Sequence, residues 1–342
     1  MRILYVAFRH DYGFVDRGLS FEHYNFYVSL AQMGHEIEYF DIGSHLASRG
    51  REGMNELLRS RVAATSPDLL FSCMVGDELD PDVIRDISEH TDTATFNWFC
   101  DDHWRFDTFT ARYAPSFNWV STTAASALPR YAQIGHANVV KTQWAASDSI
   151  YRRRGLPALY DLTFVGQVYG DRPAVLRHLQ QEGLPVQRWG TGWNVRRWHW
   201  AAARLPVVRS LGGRALLETV RASTRADQEQ MLSIFEQSKI NLNLVASSQG
   251  AEPQIKGRTF EVPACGGFLL DGRTEGLEEY LEIDKEVVVY HDIDDMVEKS
   301  KFYLRHEQQR LAVAHAGHKR VHAEHTYRRR FEAIFRAMGL SR

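Results

Sequence analysis

The chain has 342 residues, room for about two domains of roughly 100–200 residues each, and its 44% hydrophobic and 25% charged residues exclude a disordered polymer. Its 41 Lys and Arg against 43 Asp and Glu leave a net charge of −2, which excludes a general basic field for nucleic acid or anionic membranes. The cysteines Cys73, Cys100 and Cys265 are far apart and odd in number; they exclude a disulfide scaffold or an all-cysteine zinc site and fit a reducing compartment.

Ile3–Phe8 reads as a buried parallel strand. It is too short for a signal peptide, and polar Arg9-His10-Asp11 follows at once. No apolar run reaches the ~20 residues of a membrane span, so a cytoplasmic protein is expected. The loop Arg9–Ser20 leads into a helix carrying Phe21, Tyr24, Val28 and Ala31, which Gly34 is placed to stop. Glu36–Phe40 is the next strand, completing a Rossmann-like opening. Further strands are predicted at Leu69–Cys73, Ala94–Phe99, Trp119–Thr122 and Val139–Lys141, and Asp80-Pro81 starts a helix toward His90.

After a connector at Arg152–Pro157 the pattern restarts. Strand Asp161–Val165, loop Gly166–Gly170 and a helix from Asp171-Arg172-Pro173 to Gly183 follow in order. A helix Gln230–Gln237 leads into strand Ile240–Val245, and Phe268–Leu270 and Val287–Tyr290 are short strands. Asp292 caps a helix carrying Met296, Val297 and Leu304, and one long polar helix over roughly 306–338 ends the chain. The order predicts an α/β protein with two Rossmann-like domains, 1–150 and 151–320, facing a cleft. A last helix over 321–342 is expected to cross back onto the first domain.

Two segments of the second domain suit an anionic ligand. Gly166, Gln167 and Arg172 lie on a strand–turn–helix start, where free N–H groups and the helix dipole favour phosphate. The alternative is an ordinary turn with a surface arginine. In Lys256-Gly257-Arg258-Thr259-Phe260-Glu261, two cations stand near the start of a short helix Thr259–Ala264, where they repel the dipole unless an anion is present. Ionised Glu261, an acceptor only, suits ribose hydroxyls, and Ala264-Cys265-Gly266-Gly267 would let a nucleotide approach the backbone. The alternative is a surface salt bridge among Lys256, Arg258 and Glu261.

Asp161–Arg172, Ile240–Leu244, Lys256–Leu270, Leu277–Tyr280, Val287–Asp295 and Glu324-His325-Thr326-Tyr327 together resemble the CgeB-type, spore-maturation-like glycosyltransferase family. The likeness covers most of 160–330 and is weaker over 1–150, at Arg17-Gly18 and Asn97–Asp102. The resemblance implies the GT-B architecture, a nucleoside-diphosphate sugar on the second domain and an acceptor near the first. It implies that Lys256 and Arg258 take the diphosphate and Glu261 the ribose, with Thr259 among the donor-binding residues. In the wider GT-B pattern another glutamate precedes this one; here Pro253 stands in that register.

The first domain offers Asp101, Asp102 and His103 beyond the strand Ala94–Phe99, at the end that faces ligands in α/β sheets. One of them is expected to act as general base toward the acceptor; the alternative is a helix cap. Arg17, Gly18 and the pair Glu22-His23 border the same side from the first loop. His315, His318, His322 and His325 share one helical face by spacing, yet neighbouring Lys319 and Arg320 repel a cation, so packing on the other domain is favoured over metal. Residues 189–225 hold Trp189, Trp193, Trp198 and Trp200 with seven arginines from Arg196 to Arg225, and no acid occurs between Trp189 and Leu217. That segment either packs its tryptophans on the domain or meets an anionic, lipid-linked acceptor in peripheral membrane contact.

The expected function is therefore a glycosyltransferase moving a sugar from a nucleoside-diphosphate donor, UDP-sugar first by frequency, to a glycan, lipid-linked glycan, peptide or small molecule. No cofactor, metal or nucleic acid is required. The competing readings are a sugar-nucleotide epimerase or hydrolase of the same fold and a non-catalytic nucleotide-sugar-binding protein.

Overall fold

The computed structural model describes residues 1–195, 224–246 and 253–340, together with His199, Ala202, Leu205, Leu217 and Val220. The chain divides into two units, Met1–Ile150 with His325–Arg342, and Tyr151–Glu324. In the first unit the strands are β1 (Arg2–Ala7), β2 (Glu36–Asp41), β3 (Leu69–Ser72), β4 (Ala94–Trp98), β5 (Trp119–Thr122) and β6 (Val139–Lys141). They pair in the order β2-β1-β3-β4-β5-β6, all parallel.

Alternate residues of β1 explain why this strand is continuously apolar. Leu4 and Val6 enter one core with Phe40, Leu58, Leu70 and Ile84. Ile3, Tyr5 and Ala7 enter another with Phe26, Phe71, Trp98 and Phe331. Both faces of the sheet are thus covered, as parallel strands require. The helix α1 (Val28–Gln32) ends where expected, with Gly34 at φ 79°. The helix α2 (Ile42–Thr65) has no counterpart in the sequence-based expectation. Its glycines conceal it, and Gly50, at φ 68°, breaks its helical geometry internally. The helix α3 (Pro81–His90) starts on the Asp80 carboxylate, which accepts from Asp82 N–H at 3.0 Å.

The second unit holds β7 (Tyr160–Val165), β8 (Val186–Trp189), β9 (Ser238–Asn243), β10 (Leu269–Gly272) and β11 (Val288–Tyr290). Their order is β11-β10-β9-β7-β8, again all parallel. Leu162, Phe164, Ile240, Leu242, Leu270 and Val288 pack its core. Both sheets share one topology: the first strand of each unit lies between the second and the third. In such sheets the strand order reverses there, which opens a crevice at the carboxyl ends.

The long polar helix expected over 306–338 is two helices. One runs Glu307–Glu324 and the other Tyr327–Ala337, with Thr326 capping the latter through Arg329 N–H at 3.4 Å. Ala146 N–H binds His325 O and Tyr327 N–H binds Ala146 O, so the break is a bridge onto the first unit. His325 therefore does not continue the histidine face of the preceding helix. Arg196, Arg197, Trp198, Trp200 and most of the arginine-rich segment lie outside the described residues.

Candidate functional site

In the second unit the crevice lies between the ends of β7 and β9. Gly166 follows β7, and close packing fixes its position. Gly166 N–H donates to Trp189 O at 2.9 Å, and Trp193 Nε1 donates to Gly166 O at 2.8 Å. A Cβ on Gly190 would stand 2.0 Å from Gly166 O, so glycine there permits the approach. Val168 N–H is bound to Thr191 O, Arg172 N–H to Tyr169 O and Ala174 N–H to Asp171 O. Three of the N–H groups expected in the cradle, those of Gly166, Val168 and Arg172, are thus already bound within the unit. Gln167 is exposed on it.

Arg172 heads the helix Arg172–Gln181. Instead of facing solvent, it is buried, with Nη1 donating to Gln167 O and Nη2 to Leu244 O, both at 2.9 Å. Its guanidinium stacks 3.7 Å from the centre of the Tyr169 ring, and Tyr169 Oη donates to Ala246 O at 3.1 Å. The side chain expected to meet phosphate thus ties the loop after β7 to the segment after β9. Donors committed to carbonyls in a buried place are costly to redirect.

The second segment forms the helix Arg258–Ala264, seven residues long and almost wholly buried. Glu261 is fully buried, not open to a ligand as its expected ribose role requires. Its Oε1 accepts from Tyr151 Oη at 2.7 Å and its Oε2 from Arg258 Nη1. The salt bridge is present, and it is buried at its acidic end rather than lying on the surface. Burial and the Glu261 charge push the Tyr151 phenol well above its ordinary range. Arg258 is half-buried beside the Phe235 ring, and half-buried Lys256 donates from Nζ to Gln254 Oε1 at 3.0 Å.

Thr259 is buried and donates from Oγ1 to Asp271 Oδ2 at 2.7 Å. Asn243 Nδ2 donates to the other oxygen at 2.7 Å. Burial pushes the Asp271 carboxyl up to about 6, against the pull of these donors. This network joins the ends of β9 and β10 to the start of the short helix. The sequence-based reading missed Asp271, whose signal is an acid at the carboxyl end of an apolar strand.

Gly266 and Gly267 end the helix. Gly266 has φ +78°, its N–H donates to Pro263 O at 2.8 Å, and Gly267 N–H donates to Val262 O at 3.1 Å. This is a Schellman stop. A Cβ on Gly267 would meet Phe235 O at 2.5 Å.

In the first unit the crevice lies beyond β1 and β3. Asp102 does not offer a free base. It is buried, its Oδ1 accepts from Thr110 Oγ1 at 2.6 Å and its Oδ2 from Tyr131 Oη at 2.8 Å. Asp101 sits at the N-cap position of the helix Asp102–Arg105 and is half-buried, but its side chain makes no cap bond. His103 is half-buried on the same turn. His23 stacks on Tyr27 and Tyr39 at 5.0 and 5.7 Å. Burial, then Arg9 and His10, lower it to about 4, so it is neutral at physiological pH. Arg17 lies 4.2 Å over the Phe14 ring, and exposed Gly18 takes φ 80° with ψ −175°, a conformation that favours glycine.

Glu22, next to His23, is the group the sequence-based reading left at the margin. Burial raises its carboxyl, partly offset by its own N–H and the Ser20 hydroxyl. The Tyr12 phenol is raised, by partial burial and then by Asp11, Glu22 and Asp101, although the residue is 57% exposed. Cys73 and Cys100 follow β3 and β4, with Sγ atoms 3.9 Å apart. Perturbed groups gathered beyond β1, β3 and β4 make this a candidate site. Among the described residues no group of three or more His, Cys, Asp or Glu is arranged to hold a metal, and no helix is long and apolar enough to cross a membrane.

A family model described as "Glycosyl transferase-like" matches residues 172–336. The spore protein CgeB of Bacillus subtilis (strain 168) is 21% identical over 270 residues, spanning 76% of this chain and 79% of that protein. A sucrose-phosphate synthase from Thermosynechococcus elongatus superposes with a TM-score of 0.62 at 11% identity, covering 99% of this chain and 98% of that one. Anabaena HepE in complex with UDP superposes with a TM-score of 0.60 at 10% identity, covering 99% of this chain and 100% of that one. The chain has the GT-B architecture of two Rossmann-like units.

Proposed function

We propose that the chain is a glycosyltransferase of CgeB-like kind, moving a sugar from a nucleoside-diphosphate donor to an acceptor hydroxyl or similar nucleophile. The observation that carries this reading is the end-to-end fold likeness to a protein whose structure holds UDP. It is joined by a segment bearing two cations beside the second unit's crevice. UDP-sugars are the first donors to test. Lys256 and Arg258 neutralise the departing diphosphate, and such preorganised charge usually supplies the largest catalytic contribution. Glu261 anchors Arg258 instead of binding ribose directly. On the acceptor side Glu22 and Asp101 replace Asp102 as the carboxylates that orient or deprotonate the nucleophile.

The acceptor is a glycan, lipid-linked glycan, peptide or small molecule. Calorimetry with UDP, GDP, TDP, CDP and ADP tests the donor reading; binding of none of the five overturns it. With a binding donor sugar and a panel of acceptors, a transferase releases diphosphate in proportion to glycosylated product. A hydrolase releases it without acceptor, an epimerase interconverts the sugar, and a binding protein turns nothing over. Glu22→Gln and Asp101→Asn should each lower turnover by about 10²–10⁴-fold with donor affinity intact. Full transfer activity in both variants would remove the acceptor-side assignment.

A further inference from the structure

We infer that His318 and His322 are positioning residues for the donor segment. Two imidazoles of the helix Glu307–Glu324 clasp the carboxyl end of the helix Arg258–Ala264 and so hold Lys256 and Arg258 in place. The inference rests on the donor reading above and adds residues to it that lie outside the crevice.

A helix of seven residues is not stable by itself, and this one carries Pro263 in its last turn. Its orientation therefore depends on what grips its ends. At the leading end Thr259 is held by Asp271. At the trailing end the backbone satisfies three of the last four carbonyls. Glu261 O accepts from Cys265 N–H, Val262 O from Gly267 N–H and Pro263 O from Gly266 N–H. Ala264 O is the fourth, in a fully buried residue, and it takes its donors from side chains. His318 Nδ1 lies 3.0 Å from it and His322 Nε2 also 3.0 Å, with His318 Nδ1 3.2 Å from Pro263 O as well. A carbonyl has two lone pairs, and the two imidazoles fill both.

The approach that allows this is built into the sequence. His318 and His322 are one helical turn apart, with ring centres 4.5 Å from each other. Gly317, between them and the short helix, has no room for a side chain: a Cβ would lie 2.4 Å from Glu286 O and 3.4 Å from Pro263 Cβ. Burial, then His322, lower the His318 pKa, with Arg153 adding to the effect, so the bonding form is a neutral ring with Nδ1–H. The histidine spacing is thus a backbone clasp, not a ligand set.

The two contacts use different ring nitrogens, which makes the test specific. An asparagine amide nitrogen is as many bonds from Cβ as Nδ1, and a glutamine amide nitrogen as many as Nε2. The variant His318→Asn with His322→Gln should therefore bind UDP within about threefold of wild type. The swapped variant, His318→Gln with His322→Asn, and the double His→Leu variant should bind UDP about tenfold more weakly, from loss of two hydrogen bonds that set the segment. Calorimetry reads the affinities, and urea denaturation checks that each variant is folded. If the Leu variant does not fold, the matched and swapped pairs decide. Equal affinity in matched and swapped pairs overturns the clasp. A wild-type chain that binds none of the five diphosphates overturns the donor reading, and this inference with it.

Discussion

At the scale of single residues, two buried carboxylates in the second unit differ in what they are for. Glu261 has both oxygens occupied, one by a wholly buried phenol and one by a guanidinium that water still reaches. Glu261→Ala should cost about 2–3 kcal/mol, mostly from the lost Tyr151 hydrogen bond and the space left behind, because solvent screens the Arg258 side. Glu261→Gln should cost less, since an amide still accepts from Tyr151. Urea unfolding of both variants measures this, and an Ala variant as stable as wild type would show that the pair does not matter to the fold. Asp271 titrates near 6 because burial opposes its charge. Its folded pKa lies above its unfolded value of about 3.9, so the stability it lends is present in acid and is lost as pH rises through 6. Between pH 5 and pH 7 wild type should therefore lose about 1 kcal/mol relative to Asp271→Asn, which has no proton to give up. Parallel pH profiles for the two chains would contradict the assignment.

At the scale of elements, the loop after β7 shows how a sequence motif changes meaning when its partner appears. Gly166–Arg172 was legible as strand end, turn and helix start, because glycine, Asp171 and Pro173 mark these locally. That Arg172 points inward was not legible, since its acceptor Leu244 O lies 72 residues away. The same limit hid the Tyr151 partner of Glu261, 110 residues off. By contrast β1, β5 and β6 were readable to within a residue or so, because continuous apolar strands in parallel sheets are written in the local sequence. The helix over Ile42–Thr65 was not, because Gly43, Gly50 and Gly53 argue locally against it while Met54, Leu58 and Val62 bury it. Arg172→Lys should destabilise the chain by about 1–3 kcal/mol, because an ammonium cannot serve both carbonyls and stack on Tyr169. It should leave the ratio of diphosphate to nucleoside affinity unchanged. A selective loss of diphosphate affinity in a stable variant would restore the phosphate role to this residue.

At the scale of the whole molecule, two sheets of one topology carry different chemistry at the same topological position. In the first unit the segments beyond β1, β3 and β4 carry Glu22 and Asp101, carboxylates that can take a proton, together with Cys73 and Cys100, whose thiols are raised and stay protonated at neutral pH. In the second, the ends of β7, β9 and β10 carry Lys256, Arg258 and a buried network that holds them, suited to an anion. A shared fold does not decide this division; the side chains at the strand ends do. The division predicts where a donor acts. UDP at 100 times its dissociation constant should stabilise the fold by about 2.7 kcal/mol. On the proposed role of Lys256 and Arg258 in neutralising the diphosphate, the gain should be the same with EDTA present. Hydrogen exchange should slow in the segments around Gly166–Arg172 and Gln254–Ala264, which belong to the second unit. The first unit's loop around Arg9–Ser20 and the turn at Asp101–Arg105 should slow further when an acceptor is added. Protection confined to that first-unit loop and turn on adding UDP would reverse the assignment of donor and acceptor. Stabilisation abolished by EDTA would transfer the diphosphate's charge compensation from the two cations to a metal.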